Sequence, residues 1–324
     1  MKNYDLYVGI DVSSETIDVV TSEGQYKKLS NNKQGFKELE ELLLPNSLVV
    51  MEATGVYHYS LALYLYKKKI NVCVENGLRI KRFVEMDIKV NKNDKADAQK
   101  ICEYAMTQKT TLWQPAPEYI QQSEVIYQNV MLLKKGLVQY KNRLHATKRQ
   151  ENVPNLVLRE LTKKVKEHKD SIEKLETELE KIMKPYVKEN MARLTSIPGV
   201  GKKTAIYVLL LTENFTKFSE AKHLISFVGL APLERRSGTS VRGRSSISKR
   251  GNPILRNLLF MCSFNACKSN KKCKQLYERI VNKGKSKKLA LIAVGNKLIK
   301  QMFGLVRNEL MYDESYVSSG YSIT

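Results

Sequence analysis

The chain has 324 residues, of which 42% are hydrophobic, so it is long enough for two or three domains that each bury a core. Its 55 Lys and Arg residues against 33 Asp and Glu give a formal net charge of +22, which predicts a polyanionic partner, with nucleic acid first. Acids stand near the start where a signal peptide needs an apolar run, and no stretch approaches the ~20 apolar residues of a membrane span, so we expect a cytoplasmic protein.

The charge is distributed unevenly. Residues 1–114 carry 16 basic and 15 acidic side chains, which leaves 39 and 18 for residues 115–324, so the binding surface is expected downstream. A basic membrane surface is the alternative, but no segment joins a strong apolar face to a short basic one. The five cysteines form no CxxC pair and are odd in number, which favours reduced thiols over a zinc ribbon or a disulfide framework.

The first third of the chain combines strand and helix patterns. Apolar residues alternate with others over 4–10, which predicts a strand that leads into Asp11. A later apolar run predicts the strand that delivers Glu52. The predicted strands are 4–10, 16–21, 25–29, 48–51 and 70–74, and the predicted helices are 36–44, 57–68, 78–86 and 94–107. Three meander strands followed by alternating helices and strands predict a mixed α/β domain over residues 1–114.

The middle of the chain repeats apolar residues at alternating spacings of four and three. Such a seam predicts a heptad pattern, and it occurs twice, on either side of a break around Pro154. The seam residues are Ile126, Val130, Leu133, Leu137, Tyr140 and Leu144, and then Leu161, Val165, His168, Ile172, Leu175, Leu179 and Ile182. Two long helices, the second ending before Pro185, predict an antiparallel coiled-coil hairpin over 115–190, within the chain or across a dimer.

Residues 191–324 predict a third, mostly helical domain. It starts with a glycine-containing turn at 197–201 that runs into an apolar helix. Residues 232–253 contain hardly any apolar side chain and are interpreted as a functional loop. The remaining predictions are helices near 254–267 and 287–309 that pack around this loop and a weakly structured tail after Met311.

Four acids follow the order that is typical of ribonuclease-H-like domains. Asp11 and Glu52 end two strands, and Asp94 and Asp97 lie three apart in the first turn of a predicted helix, so both project from one face. If the two strands are neighbours, all four carboxylates meet at one sheet edge, where they suit Mg²⁺ or Mn²⁺. Alternatively, Asp94 caps its helix, Asp97 is a first-turn acid and the other two are ordinary strand-end residues.

Two features of the last third are candidates for phosphate contact. The turn before Lys202 and Lys203 is similar to a helix-hairpin-helix turn, whose amides hold a DNA phosphate, but it is equally typical of packed helices. Between 235 and 256 there are seven positive side chains and no acid. The candidate nucleic-acid contacts are Lys202, Lys203, Arg235, Arg236, Arg242, Arg244, Lys249, Arg250 and Arg256.

The basic loop also contains serines. A flexible basic loop commonly binds backbone phosphates without specificity. However, a serine beside a glycine and among arginines, as at Ser237-Gly238, is also what phosphoserine chemistry requires. Composition alone leaves four other serines open as the attacking residue, namely Ser240, Ser245, Ser246 and Ser248. Among the histidines, His168 is expected to pack in the heptad seam, whereas His58 could line the metal site.

Several short motifs together resemble the insertion-sequence 110 family of transposases, also called DEDD transposases or bridge-RNA-guided recombinases. The order and spacing of the motifs carry the resemblance, which covers nearly the whole chain. The motifs are Gly9-Ile10-Asp11-Val12, Met51-Glu52-Ala53-Thr54-Gly55, Asp94-Lys95-Ala96-Asp97-Ala98, Ser196-Ile197-Pro198-Gly199-Val200-Gly201, Phe227-Val228-Gly229-Leu230-Ala231-Pro232, Ser237-Gly238 and Ser248-Lys249-Arg250-Gly251.

The resemblance implies a RuvC-like, ribonuclease-H-like domain with Asp11, Glu52, Asp94 and Asp97 as its acids, and a C-terminal transposase domain with Ser237 as nucleophile. It implies a composite site in which the acids of one subunit support the serine of another. It also implies donor and target DNA, a structured guide RNA, and a homodimer or tetramer assembled through the coiled coil. Two alternatives stay open, a Holliday-junction-type structure-selective endonuclease and a noncatalytic nucleic-acid-binding protein.

Overall fold

The computed structural model describes residues 3–86, 93–233, 236–237, 241–242, 246–248 and 251–315. The chain divides into two compact units, Met1–Pro115 and Ala116–Thr324. The first is mixed α/β and the second is dominated by helices, as the composition of the segments predicts.

The first unit is built on a five-stranded sheet in the order β3-β2-β1-β4-β5. The meander of the first three strands is antiparallel, and β4 and β5 continue the sheet in parallel with β1. Its elements are β1 (Leu6–Val12), β2 (Thr16–Thr21), β3 (Tyr26–Ser30), α1 (Lys33–Glu40), β4 (Ser47–Glu52), α2 (Tyr57–Lys67), β5 (Asn71–Glu75), α3 (Gly77–Val84) and α4 (Asp94–Thr107). The mixed α/β prediction is confirmed at this level.

Helices cover both faces of the sheet because successive strand residues point to opposite sides. On one face Val49 and Met51 pack with Phe36 of α1 and Leu65 of α2. On the other face the intervening strand residues pack with α3 and α4, in a cluster of Leu48, Val50, Cys73, Ile80, Ile101, Tyr104 and Ala105. The central strands are therefore apolar on both faces, and polar side chains collect at the strand ends.

The start of α1 differs from the prediction of 36–44. Asn32 caps the helix, because its side chain accepts hydrogen bonds from the backbone N–H groups of Gln34 and Gly35 at 2.9 and 3.1 Å. The helix therefore begins at Lys33 and ends at Glu40. The apolar periodicity marked the buried face but not the cap, which fixes where the first turn forms.

Helix α4 lies directly on β1 at Gly9. A Cβ atom built at this position would lie 2.2 Å from the backbone nitrogen of Cys102 and 2.4 Å from the carbonyl oxygen of Ala98. Only a residue without a side chain allows this approach of helix to strand. We expect Gly9→Ala to destabilise the first unit by about 1–3 kcal/mol, the usual cost of overpacking.

Urea unfolding followed by the fluorescence of Trp113 measures this effect, because the only tryptophan packs against the core of the first unit. Gly24→Ala is the matched control, since its Cβ would meet nothing within 4 Å and only its φ of +85° is unfavourable. A Gly9→Ala cost no larger than that of Gly24→Ala would show that the helix yields without strain.

The second unit begins with two long antiparallel helices, α5 (Glu118–Thr147) and α6 (Asn155–Thr195). Three contacts fix their register: Tyr119 stacks on Tyr186 at 4.0 Å between ring centroids, Lys134 Nζ lies 2.7 Å from Glu176 Oε1, and the rings of Tyr140 and His168 are 5.0 Å apart. Every residue of the predicted seams is buried or half-buried. The second heptad segment therefore pairs with the first inside one chain.

The prediction that the second helix ends before Pro185 is wrong, because α6 continues through this proline to Thr195. A proline inside a helix removes one backbone hydrogen bond and costs about 3 kcal/mol or more. The surrounding turns hold Met183, Val187 and Leu194 in the core, each at most 2% exposed. Burial of these side chains offsets the lost bond.

One core extends through the rest of the second unit. Its further elements are α7 (Lys202–Leu211), α8 (Ala221–Val228), β6 (Pro232–Leu233), β7 (Arg236–Ser237), β8 (Val241–Arg242), β9 (Ser246–Ile247), α9 (Pro253–Ser269), α10 (Lys271–Asn282) and α11 (Lys287–Arg307). Helices α8 and α10 are additional to the predicted elements. Asn270 ends α9 and caps α10, since its side chain accepts from the Cys273 N–H at 3.1 Å.

Helix α11 meets the length and composition of a membrane span, with a mean hydropathy of 1.4 over its most apolar window. The expectation that no stretch approaches such a span is therefore wrong by this measure. However, Val294, Leu298, Ile299 and Met302 belong to the core of the second unit, and each is at most 1% exposed. This packing accounts for part of the apolar character of α11.

Three helices of the second unit meet at Glu176. Its carboxylate accepts hydrogen bonds from Lys134 of α5 at 2.7 Å and from the Tyr207 hydroxyl of α7 at 2.8 Å, and it also pairs with Lys203. Burial acts to raise the pKa of Glu176, but these hydrogen bonds overcome it and lower the pKa to about 2. The carboxylate therefore stays ionised at the junction of the three helices.

A pKa lowered on folding contributes stability above the ordinary carboxyl pKa, and this contribution is lost as the pH falls towards 2. We expect Glu176→Gln to lower the free energy of unfolding by about 1–3 kcal/mol at pH 7. The difference from the parent chain should shrink below about pH 4.5. Urea unfolding followed by circular dichroism at pH 7, 4 and 3 measures it.

Glu167→Gln is the control for this prediction, because its ion pair with Lys164 is exposed on the surface of α6. Its unfolding midpoint should stay nearly unchanged. A Glu176→Gln deficit that is constant from pH 7 to pH 3 would mean that ionisation of this carboxylate does not stabilise the helix junction.

Candidate carboxylate site and basic loop

Strand pairing brings three acids to one end of the sheet. Asp11 is the penultimate residue of β1, and Glu52 is the last residue of β4. These strands are parallel with Ile10 opposite Met51, so the next residues along them are neighbours. On the other side of β1, Asp11 stands opposite Asp18 of β2. The condition under which the sequence places Asp11 and Glu52 at one sheet edge, adjacency of their strands, is therefore met.

The first turn of α4 supplies two more acids. Asn93 caps this helix, because its side chain accepts a hydrogen bond from the Ala96 N–H at 2.8 Å. Asp94 is therefore not the cap, and it lies with Asp97 in the first turn. The alternative that Asp94 is an ordinary capping residue is wrong.

The acids interact strongly at Asp11. Burial contributes most, and the negative charges of Asp97, Asp94, Glu52 and Asp18 add to it in that order; together they raise the pKa of Asp11 to about 6. Carboxylates this close cannot all ionise at low cost unless a cation neutralises them. This part of the sheet therefore favours binding of positive charge.

Asp18 is the acid that sequence reasoning missed. It is only 3% exposed, accepts a hydrogen bond from the Tyr26 hydroxyl at 2.6 Å, and lies 3.6 Å from Lys28 Nζ. Lys28 Nζ also lies 3.5 Å from Asp94 Oδ2. The signal was an acid inside the apolar strand 16–21, directly across a short turn from Asp11.

The donor set fits a hard divalent ion, since Mg²⁺ and Mn²⁺ prefer carboxylate oxygens. The Glu52 carboxylate packs against Gly77, because its Oε1 lies 2.3 Å from where a Cβ atom on that residue would be. Within the described part of the chain, no three Asp, Glu, His or Cys side chains converge as a ready metal-binding group. The carboxylates near Asp11 thus suit Mg²⁺ or Mn²⁺ in chemistry and charge. Their side chains would have to rotate before three or more of them could bind one ion.

His58 lies in the first turn of α2, half-buried. Burial lowers the pKa of this imidazole, which keeps it neutral near pH 7. Its role at the metal site stays a prediction. His168, in contrast, is packed as expected, with Nδ1 2.8 Å from the Lys164 carbonyl oxygen.

The glycine turn after α6 packs against α9. Gly199 has φ +100°, and a Cβ there would lie 2.6 Å from the backbone nitrogen of Ala266. This close packing favours the interpretation as a turn between packed helices. Lys202 and Lys203 open α7, and Lys203 pairs with Glu176. Contact of either lysine with DNA stays a prediction.

The segment interpreted as a functional loop contains two short antiparallel strand pairs. β6 pairs with β9, and β7 pairs with β8 so that Ser237 stands opposite Val241 and Arg236 opposite Arg242. Arg256 lies in the first turn of α9 and donates to the Val228 carbonyl at 3.0 Å. The predicted contacts Arg235, Arg244, Lys249 and Arg250 lie outside the described residues.

Five cysteines are free thiols, and four of them are buried. Burial raises the pKa of Cys73 and of Cys102 to about 11 and the pKa of Cys273 to about 12. Thiols with such pKa values are poor nucleophiles and poor metal ligands at neutral pH. Cys73, Cys102 and Cys273 are therefore packing residues, in agreement with the expectation of reduced thiols.

Two family models match the chain. One, described as "Transposase" and specific to the IS110 DEDD type, covers residues 8–153, and the other, described as "Transposase IS116/IS110/IS902 family", covers residues 191–278. The first contains the four predicted acids and the second contains the basic loop. Divalent metal dependence accompanies a DEDD domain.

Curated relatives align over most of the chain. The pilin gene-inverting protein of Moraxella bovis is 29% identical over 323 residues, which cover 95% of this chain and 98% of that protein. The transposase for insertion sequence element IS1111A of Coxiella burnetii is 27% identical, over 82% of this chain and 79% of its own length. An uncharacterized 43.6 kDa protein of insertion element IS110 from Streptomyces coelicolor is 33% identical, but over only 40% of this chain.

Proposed function

The chain belongs to the IS110 family of transposases and is a DNA recombinase, and from this we propose that it cuts and rejoins DNA through Ser237, with help from a Mg²⁺ or Mn²⁺ site formed by Asp11, Glu52, Asp94 and Asp97. We further propose that a structured guide RNA selects the donor and target DNA. The first unit then corresponds to a RuvC-like, ribonuclease-H-like domain.

The observation that carries the proposal is the meeting of carboxylates around Asp11. The ends of β1 and β4 and the start of α4 supply these acids. The pKa of Asp11 is raised by the charges of Asp97, Asp94, Glu52 and Asp18. A structural role does not require four other acids to act on Asp11, because their negative charges disfavour its ionisation and so oppose folding. Such an arrangement is common where a chain binds a metal or moves a proton.

A bound divalent ion would neutralise charge on the scissile phosphate and orient it. The Ser237 oxygen forms a bond to phosphorus as the bond from phosphorus to the 3′ oxygen breaks. The serine proton passes to solvent, and the leaving 3′ oxygen takes a proton from solvent to become a free hydroxyl. The DNA phosphodiester is exchanged for a phosphoserine ester of similar energy. The reverse step can therefore rejoin DNA without external energy. Arg236, Arg242 and Lys249 offset charge in the transition state.

The charge of the chain supports the nucleic-acid partners. Residues 115–324 carry 39 basic and 18 acidic side chains, an excess of 21 positive charges. We propose phosphate contacts for Lys202 and Lys203, for the arginines and lysines between 235 and 250, and for Arg256. Guide RNA would supply sequence recognition, so that few direct base contacts are needed from the protein.

We also propose three domains in chain order: a catalytic domain of 1–114, a coiled-coil hairpin of 115–190 and a transposase domain of 191–324. The protein works in the cytoplasm as a homodimer or tetramer, and the hairpin holds the copies together. Val125 and Leu132 support this assembly. They lie one heptad apart on the outer side of α5 and are 60% and 68% exposed. A second copy of the hairpin would cover them.

A covalent-adduct assay tests the proposed chemistry. The protein is incubated with Mg²⁺, labelled DNA that carries the element ends, and RNA transcribed from an element end. Adducts are then isolated under denaturing conditions and mapped by peptide mass. We expect a phosphodiester link to the peptide containing Ser237. Cleavage without any adduct would instead identify a nuclease in which acids activate water, and neither cleavage nor adduct would favour a noncatalytic binding protein.

A further inference from the structure

Lys28 lies inside the carboxylate cluster of the first unit. From β3 its ammonium nitrogen reaches Asp18 Oδ2 at 3.6 Å and Asp94 Oδ2 at 3.5 Å. One cation is thus shared by a buried strand acid and an exposed helix acid, with side-chain exposures of 4% and 67%. The ammonium group links β2 and β3 to the first turn of α4.

A second contact supports the same connection. Lys95, the next residue on α4, places its Nζ 5.1 Å from the centre of the Tyr26 ring. The hydroxyl of this tyrosine donates to Asp18 at 2.6 Å, which holds the buried carboxylate in place. Asp18 is thereby a fixed anchor for Lys28, whereas Asp94 sits on the solvent side and can turn away.

We propose that Lys28 is a built-in counter-ion that holds Asp94 when no metal is bound and competes with the divalent cation for that carboxylate. Metal binding then requires Asp94 to leave Lys28, while Asp18 retains it. Lys28 and Asp18 are accordingly positioning residues, since neither needs to touch the metal or the DNA. This inference rests on the proposed metal-binding role of the acids.

The competition follows from charge and from side-chain freedom. An ammonium group near a divalent ion repels it, and each carboxylate held by the lysine is less available as a ligand. Lys28 is half-exposed, at 49%, and its flexible stem lets it move towards solvent when the ion arrives. Solvent screening keeps the effect moderate, so we expect a change of about three- to tenfold in metal affinity.

Mn²⁺ binding to the full chain without nucleic acid tests this inference, with the free ion measured by electron paramagnetic resonance. Lys28→Met removes the charge and keeps the apolar stem, whereas Lys28→Arg keeps the charge. We expect Lys28→Met to bind Mn²⁺ about three- to tenfold more tightly and Lys28→Arg to stay within about twofold of the parent chain. In an Asp94→Asn background, the gain from Lys28→Met should fall below about twofold, because the contested ligand is absent.

Thermal unfolding in EDTA provides the folding control and a second readout. The metal-free Lys28→Met chain should unfold at a lower temperature than the parent chain because the acids repel each other without their counter-ion. Saturating Mn²⁺ should remove most of that difference. Affinity that is unchanged or weaker in Lys28→Met, or an equal gain in the Asp94→Asn background, overturns the inference.

Asp11→Asn separates this inference from the proposed function. If Asp11→Asn abolishes Mn²⁺ binding while Lys28→Met leaves it unchanged, the metal site stands and only the role of Lys28 fails. If the parent chain binds no Mn²⁺ and Asp11→Asn changes nothing, the metal site and the inference fail together.

Discussion

Ser237→Ala is expected to abolish the covalent protein–DNA adduct and to lower strand exchange on the order of 10³-fold or more, because the substitution removes the proposed nucleophile. Binding of DNA and RNA should remain within about twofold, since the substitution removes one small hydroxyl and no charge. Adduct yield on a denaturing gel and binding by filter retention, measured on the same preparation, separate the two effects.

Ser240→Ala is the matched control in the same basic loop. It should keep both adduct formation and strand exchange. An adduct that survives in Ser237→Ala and disappears in Ser240→Ala would move the nucleophile by three residues and leave the serine mechanism intact. Retained strand exchange in both single variants and in the double variant would refute serine attack at either position.

Asp11→Asn should have the second large effect, with cleavage lowered on the order of 10³-fold, because the central ligand of the proposed metal site is lost. The same substitution should stabilise the metal-free fold. The pKa of Asp11 is raised to about 6 in the folded chain, so its ionisation opposes folding as the pH rises above the ordinary value of 3.8. Removing the charge should add about 1–3 kcal/mol to the free energy of unfolding at pH 7 and little at pH 4.

Three measurements check this prediction: cleavage rates in Mg²⁺, Mn²⁺ binding, and urea unfolding in EDTA at pH 7 and pH 4. Asp5→Asn is the control, since this acid is exposed just before the same strand and is not among the residues that act on Asp11. A variant that is inactive but less stable than the parent chain at pH 7 would show that Asp11 supports the fold rather than the metal site.

The sheet and the long helices could be predicted from the sequence because the residues they bury are apolar and repeat at the spacing of a strand or a helix. Strands such as Ser47–Glu52 are apolar on both faces, and the seam of α5 and α6 repeats over several heptads. The start of α4 was also predictable, since Asn93 precedes the first turn and its acids. Predictions of this kind depend only on local patterns, which tertiary contacts reinforce here.

The remainder depends on contacts between distant residues. Proline ends most helices, but in α6 the buried residues around Pro185 keep the helix intact. Helix α10 is a different case, because Cys273, Leu276, Tyr277 and Ile280 repeat at helical spacing and are all buried or half-buried, so its apolar face could have been found in the sequence. Asp18 could be assigned to the acid cluster only once the β1–β2 register was known, and Lys28 only once α4 was placed against the sheet.

The direct contact between β1 and α4 has a consequence for how the acids can change over evolution. At Gly9 the main chains themselves meet, so the separation between the strand that bears Asp11 and the helix that bears Asp97 is set by backbone atoms. No repacking of side chains can widen or narrow that separation. The site can then adapt to a larger or smaller ion only through the length of its acidic side chains, for instance by exchange of aspartate and glutamate.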